Sequence, residues 1–248
     1  MLTREQVVEF HERGYLEPFE LYQPSEMVEV RKQIHEQVME TEETPTPNEI
    51  PKQYYRHLDC APIRKMFRDP EVVDRLSSIL EPDLLLWSSK IWDKYPGGIE
   101  VPWHQHYHHV PLEPPVCITA WIALTPATQD NGCLEVIPES HKNVYPEIES
   151  PDHMAFEMMA DPASFDNEKR VTIEMEPGEC FLFTERLLHR SAENSSDIPR
   201  IGLSGRITVP FVNFEPAAVG GGGDSEFTTA TLLSGSNEYG INELAKPQ

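Results

Sequence analysis

Within PWHQHYHHVP, residues 102–111, histidines stand at positions 104, 106, 108 and 109. Neutral imidazole is the commonest protein metal ligand. Side chains two residues apart on an extended segment point to the same side, so His104 and His106 can present two ring nitrogens to one ion. A third imidazole has to come from a distant stretch, and His189 of TERLLHRSAENSSDIPR, just after the apolar run ECFLFT, is placed to supply it. This spacing is unspecific by itself, because any pair of histidines two apart would satisfy it. His108 and His109 are neighbours that face opposite ways on an extended chain, so at most one enters a pocket. Packing or rim positions are expected for both, with His108 or Tyr107 as the alternative substrate contact. His141, in PESHK, reads as structural.

Short strands must position these residues. From about residue 84 the chain alternates apolar runs (LLLWSSKIW, VCITAWIAL, CLEVIP, RVTIEM, ECFLFT, IGLSGRITVPFV) with dividers such as YPGG, QDNG and EPGE. Strands without intervening helices imply a sandwich or jelly roll. The first 82 residues read as mainly helical. LTREQVVEFHERGYL opens with Thr3 as N-cap and Gln6 three residues on, and stops at Gly14. In PSEMVEVRKQIHEQVMET, Ser25 is the expected cap and Met27, Val28, Val30, Ile34 and Val38 form one stripe. A third helix, DPEVVDRLSSIL, ends before Pro82, and EETPTPNEIPKQYY reads as an irregular loop placed to act as a lid. In the tail, GGGG (220–223) is a connector, and TATLLSGSNEYGINEL docks back through Leu232, Leu233 and Tyr239. The expected organisation is a single domain, 1–248: a helical part (1–82) packed outside a jelly-roll core (83–215), then the connector and C-terminal segment (216–248).

At 248 residues and 39% hydrophobic content the chain has material for one substantial core. Its net charge of −22 sets up a field that repels phosphate backbones and anionic leaflets, so neither nucleic acid nor a membrane is an expected partner. Cys60, Cys117, Cys133 and Cys180 lie far apart with no paired spacing and read as reduced core thiols. The N-terminus is charged from residue 4, and the longest apolar run is too short to span a bilayer, so a cytoplasmic protein is expected.

WHQH (103–106), TAWIALTPATQDNGCLEVIPESHK (119–142) and PGECFLFTERLLHRSAENSSDIPR (177–200), with the N-terminal LTREQVVEFHERGYL, carry a resemblance. Together they resemble the phytanoyl-CoA dioxygenase family of iron(II)- and 2-oxoglutarate-dependent oxygenases, especially its bacterial small-molecule branch, over nearly the whole chain. The resemblance implies a mainly β fold with flanking helices, its core the cupin-like double-stranded β-helix. It also implies Fe(II) and 2-oxoglutarate as cofactors, with O2 and a small molecule as partners in oxidation of an aliphatic C–H. The family pattern is His-x-Asp, a distant His, then Arg about eleven residues on, which carries over to His104, His189 and Arg200. Arg200 would then grip the distal carboxylate of 2-oxoglutarate, a bidentate pair that supplies both charge and direction. Ser191 matches a hydroxyl on the same carboxylate. Trp121, on a strand face shared with Cys117 and Thr119, matches an aromatic position of the co-substrate pocket. Arg206, on the strand face of Arg200, is a reserve anchor. Lys94 is in reach of an anionic group but reads rather as a solvated lysine beside a turn.

One departure stands out: His106 occupies the position of the family's Asp. The metal set becomes His104, His106 and His189, three neutral imidazoles in place of two and a carboxylate. His106 is then a native third ligand, a substitution in an Asp-bearing parent, or a non-ligand in a protein whose chemistry has changed. Two rival functions follow: a three-histidine iron dioxygenase that does not use 2-oxoglutarate, and a non-catalytic binding module. Retention of Arg200 and Ser191 argues against the first.

Overall fold

The computed structural model describes residues 1–41, 51–110, 112–214 and 229–246. Of the loop read as a lid, 42–55, residues 42–50 lie outside them, as does the connector at 220–223; its last residues, 51–55, are described and Tyr54 bridges to Lys90 of the sheet.

In chain order the helices are α1 (Arg4–Arg13), α2 (Pro24–Ile34), α3 (Ala61–Phe67) and α4 (Pro70–Ile79). The strands begin with β1 (Tyr15–Glu20), β2 (Leu84–Lys94), β3 (Val101–His104), β4 (Leu112–Glu113), β5 (Ile118–Ala123) and β6 (Leu134–Val136). They continue with β7 (Glu147–Glu149), β8 (Met158–Ala160), β9 (Val171–Ile173), β10 (Glu179–Thr184) and β11 (His189–Ser191). The last four are β12 (Arg200–Thr208), β13 (Asn213–Phe214), β14 (Thr229–Ser234) and β15 (Glu243–Leu244). A seven-stranded sheet runs β1-β10-β5-β12-β2-β14-β15 and a four-stranded sheet runs β3-β11-β6-β9, with two small pairs, β4/β13 and β7/β8. The fold is mainly β, of the cupin-like jelly-roll kind, without a closed barrel.

The strands of the larger sheet are nearly continuous apolar runs because both faces are covered. On β10, Cys180 and Leu182 join the core under the helices, with Phe67, Leu76 and Ile34. Phe181 and Phe183 point the other way, into the space between the sheets, with Trp121 and Val136. On β12 the same alternation sends Leu203 and Ile207 to the helices, whereas the inner positions are Gly202, Ser204 and Arg206. Polar side chains on the inner face of a buried strand mark where the sheets enclose a site rather than a core.

The Thr3–Gln6 capping box and left-handed Gly14 bound α1 as expected. Asp69 caps α4. Four expectations are corrected. The first 82 residues also contain a strand: β1 pairs with β10, and its register shifts between Leu16 and Phe19, around Pro18, which lacks an N–H for the ladder. Gln23, not Ser25, precedes α2, because Pro24 takes the first helical position and Gln23 closes a capping box with Glu26. Met27, Ile34 and Val38 are buried as expected, but Val28 is exposed. In the tail, β14 does return to β2, with Leu232 and Leu233 against the core, while Tyr239 stays 62% exposed, edge-on to the exposed Phe211 rather than in the core. All four cysteines are free and buried. Among the described residues no helix is long and apolar enough to cross a membrane.

Candidate metal centre

His104 closes β3 and His189 opens β11, and the two strands pair so that these histidines stand opposite each other. His106 follows, past extended Gln105, at the start of a single 3₁₀ turn. One ring nitrogen from each histidine lies within 4.8 Å of the other two. Ring centroids are 4.1 Å apart for His104 and His189, 4.6 Å for His106 and His189, and 5.5 Å for His104 and His106.

Two of the rings are oriented by their own backbone. His104 Nδ1 is 2.9 Å from the Pro102 carbonyl oxygen, and His189 Nδ1 is 2.8 Å from that of Leu187. A carbonyl only accepts, so Nδ1 donates in both rings and each Nε2 keeps its lone pair for a metal. His106 Nδ1 lies 3.2 Å from the Thr119 hydroxyl on β5. Burial pushes His104 and His106 well below the ordinary histidine range, and His189 down to about 4, with Arg206 adding to the effect. All three rings are therefore neutral at neutral pH, the ligating form. Such a donor set fits a first-row divalent ion, Fe(II) among them.

Beyond the histidines is a cluster of buried cations. Arg200 Nη2 donates to Ser191 Oγ (2.9 Å), Nε to the Gly132 carbonyl (3.1 Å) and Nη1 to that of Trp92 (3.4 Å). Lys94, opposite Arg200 in the β2/β12 register, donates from Nζ to Ser191 Oγ (2.8 Å), the Ser191 carbonyl (2.9 Å) and the Ala192 carbonyl. Ser191 Oγ in turn donates to the Gly132 carbonyl at 2.7 Å. Lys94 is thus not the solvated lysine that its turn-side position implies. The last residue of a central strand points inward, and burial followed by Arg200 brings its pKa down to about 7. Burial lowers Arg200 to about 10. Its guanidinium carbon lies 5.7 Å from the Trp121 ring.

The structure thus brings together His104, His106, His189, Ser191, Arg200, Trp121 and Thr119 around one pocket. Thr119 reaches His106 rather than the Arg200 cluster. Cys117 does not share the inner face with Trp121; it precedes β5 and joins the core under the helices. His108 turns outward to the Tyr145 carbonyl at 2.9 Å, and it is His109 that reaches the cavity wall, paired with Glu147 at 3.0 Å. His141 is structural, its Nε2 3.0 Å from the His11 carbonyl. Two aromatic neighbours escaped the sequence reading: Phe183, 4.8 Å from the His189 ring, and Phe156, edge-on to His104 at 4.8 Å. The alternation in ECFLFT signals Phe183; nothing local signals Phe156, which belongs to the excursion between β7 and β8. A cavity of about 470 Å³ opens beyond the rings, walled by Trp92, His104, His106, His109, Phe156 and Arg206.

Imidazoles fixed across paired strands inside a jelly roll place the molecule with the cupin-like metal oxygenases. The chain belongs to the phytanoyl-CoA dioxygenase (PhyH) family, whose profile matches residues 10–202. It is 36% identical over 112 residues to phytanoyl-CoA dioxygenase 1 of Oryza sativa subsp. japonica, a match covering 45% of this chain and 40% of that protein. Methylphosphonate hydroxylase of Gimesia maris is 25% identical over 212 residues, covering 80% of this chain and 78% of its own. Among solved structures, CytC3 with Fe(II) and α-ketoglutarate superposes with a TM-score of 0.78 at 27% identity, covering 99% of this chain and 93% of that one.

Proposed function

We propose that the protein is an Fe(II)- and 2-oxoglutarate-dependent dioxygenase that oxidises an aliphatic C–H of a small molecule, with His104, His106 and His189 as the metal ligands. The observation that carries this reading is the convergence of three buried, neutral imidazoles beside a buried guanidinium and ammonium. Iron with 2-oxoglutarate supplies the oxidising chemistry when bound, O2 being the oxidant and succinate and CO2 the co-products.

The chain's own part is placement. The Pro102 and Leu187 carbonyls hold the tautomers of His104 and His189, and the Thr119 hydroxyl steadies His106. Arg200 binds the distal carboxylate of 2-oxoglutarate. Its Nη1, held among the described residues by one long 3.4 Å bond to the Trp92 carbonyl, has most to gain from a carboxylate. Ser191 and Lys94 complete that clamp, and Trp121 forms its aromatic wall. Phe183, Phe156 and Trp92 keep the surroundings of the histidines apolar. The helical part, the core and the C-terminal strand act as one unit, since β1 and β14 extend the sheet that carries the clamp.

Oxygen uptake in the presence of Fe(II), 2-oxoglutarate and candidate substrates is the test. Uptake matched by succinate release supports the proposal. Uptake without succinate would favour the three-histidine dioxygenase that does not use 2-oxoglutarate, and no uptake the binding module. Within the proposal, Arg200→Ala raises the 2-oxoglutarate requirement at least about tenfold, because a buried charge-assisted bond is worth roughly 1.5–3 kcal/mol.

A further inference from the structure

The clamp leaves two cations on the same inner face unaccounted for. Arg206 lies six residues beyond Arg200 on β12, and Lys90 lies opposite Ser204 on β2, facing the same side as Trp92 and Lys94. Arg200 and Lys94 both donate to protein acceptors at Ser191 and its neighbours. Arg206 and Lys90, by contrast, have no hydrogen bond or ion pair among the described residues. Among the described residues Arg206 lies over the Trp87 ring, at 5.7 Å, near the neutral Cys117, Tyr54 and Tyr55, and Lys90 over the rings of Trp92 at 3.5 Å and Tyr54 at 4.6 Å. Burial lowers both, and Arg206 further lowers Lys90, to about 8; of the two, Arg206 lines the cavity itself, while Lys90 stacks on Trp92, which also lines it. Desolvating a cation without an anion is costly, and such groups persist where a ligand brings the counter-charge.

The place for that ligand is the cavity of about 470 Å³, where Arg206 meets apolar Trp92, Ala155, Phe156 and Met158, and where His104 and His106 form part of the wall. Glu157, its one acidic residue, is exposed at the rim and makes no ion pair with Arg206. We infer that this cavity takes a small molecule bearing an oxyanion, carboxylate or phosphate-like, held by Arg206 with Lys90 adding charge, and lays its aliphatic part against Phe156, Met158 and Trp92. The site deepens the oxygenase reading by naming the class of its substrate. It also explains how a chain of net charge −22 could collect an anion, through local cations facing a low-dielectric cavity.

The test is binding, without turnover. Inorganic phosphate and acetate, with uncharged acetamide as control, are titrated calorimetrically into the protein loaded with redox-inactive Zn(II), with the Arg200 clamp saturated by 2-oxoglutarate; 2-oxoglutarate itself is titrated separately into the same Zn(II)-loaded protein. Either anion should bind the wild-type protein and acetamide should not, phosphate preference indicating a tetrahedral group and acetate preference a planar one. Arg206→Gln should weaken the anion at least about tenfold and Lys90→Met by less, both leaving 2-oxoglutarate affinity within about threefold. Arg206→Lys, which keeps the charge, should restore part of the loss and so separates binding from folding. The inference is overturned if neither anion binds, if Arg206→Gln leaves anion binding unchanged, or if it costs 2-oxoglutarate as much as Arg200→Gln does. Failure of 2-oxoglutarate to bind the wild-type protein would sink the oxygenase reading instead, while loss of anion binding in Arg206→Gln would still uphold the site.

Discussion

An aspartate at position 106 would bring a negative charge to the ion where His106 brings none. His106→Asp is expected to tighten Fe(II) binding by about tenfold, the change that roughly 1.4 kcal/mol of added attraction produces. Competition against a metal-sensitive dye measures it. Weaker binding in the variant would show that the pocket is built around imidazole, with Thr119 as its fixed neighbour. Lys94 offers a second test at this scale. Its pKa of about 7 lies far below the lysine norm because burial and Arg200 disfavour its charge, and a bound carboxylate would favour that charge. Binding of 2-oxoglutarate should therefore draw a proton onto Lys94, so affinity is highest below pH 7 and declines as pH rises above it. Titrations between pH 6 and pH 8.5 read this directly. Lys94→Met should bind 2-oxoglutarate more weakly and with little pH dependence.

At the scale of elements, β3, β11, β5 and β12 set the distances. Across β5 and β12, Trp121 lies against Gly202 so closely that an added Cβ would stand 2.0 Å from the indole Cζ2. No side chain fits there unless the indole moves. Gly202→Ala should push the ring toward Arg200, at a cost of about 1–3 kcal/mol. We expect a melting temperature lower by several degrees and 2-oxoglutarate affinity reduced along with it, both measured on one preparation. A lowered melting point with unchanged affinity would show that Trp121 has room elsewhere between the sheets and does not shape the clamp.

Over the whole molecule, the C-terminal strand shields the edge of the larger sheet. β14 covers β2 through Leu86, Leu85 and Leu84, and buries Ala230 against the core. Removing residues 229–248 would leave β2, the strand that carries Lys90, Trp92 and Lys94, as an open apolar edge. Such a truncated chain should melt at least about 5 °C lower, corresponding to roughly 2 kcal/mol in a protein of this size, and should associate. Calorimetry with light scattering would check both, and an unshifted melt would make β14 dispensable.

Local chemistry determined a good deal on its own. The capping box at Thr3 and Gln6, the runs that became β2, β5, β6, β9, β10 and β12, and the proposed ligands His104, His106 and His189 were all legible, because caps, alternation and short-range spacing act between near neighbours in the chain. β1 was not, since its pairing with β10 outweighs the poor strand propensity of a segment carrying Pro18. Nor was the burial of Lys94, which looks solvated beside YPGG and becomes internal only because β12 lies next to β2. Phe156 reaches His104, and Arg206 has no counter-charge among the described residues, for the same kind of reason. Whether a side chain meets water, an aromatic face or an empty cavity depends on which distant strand packs over it, and that is settled by burial across the two sheets together.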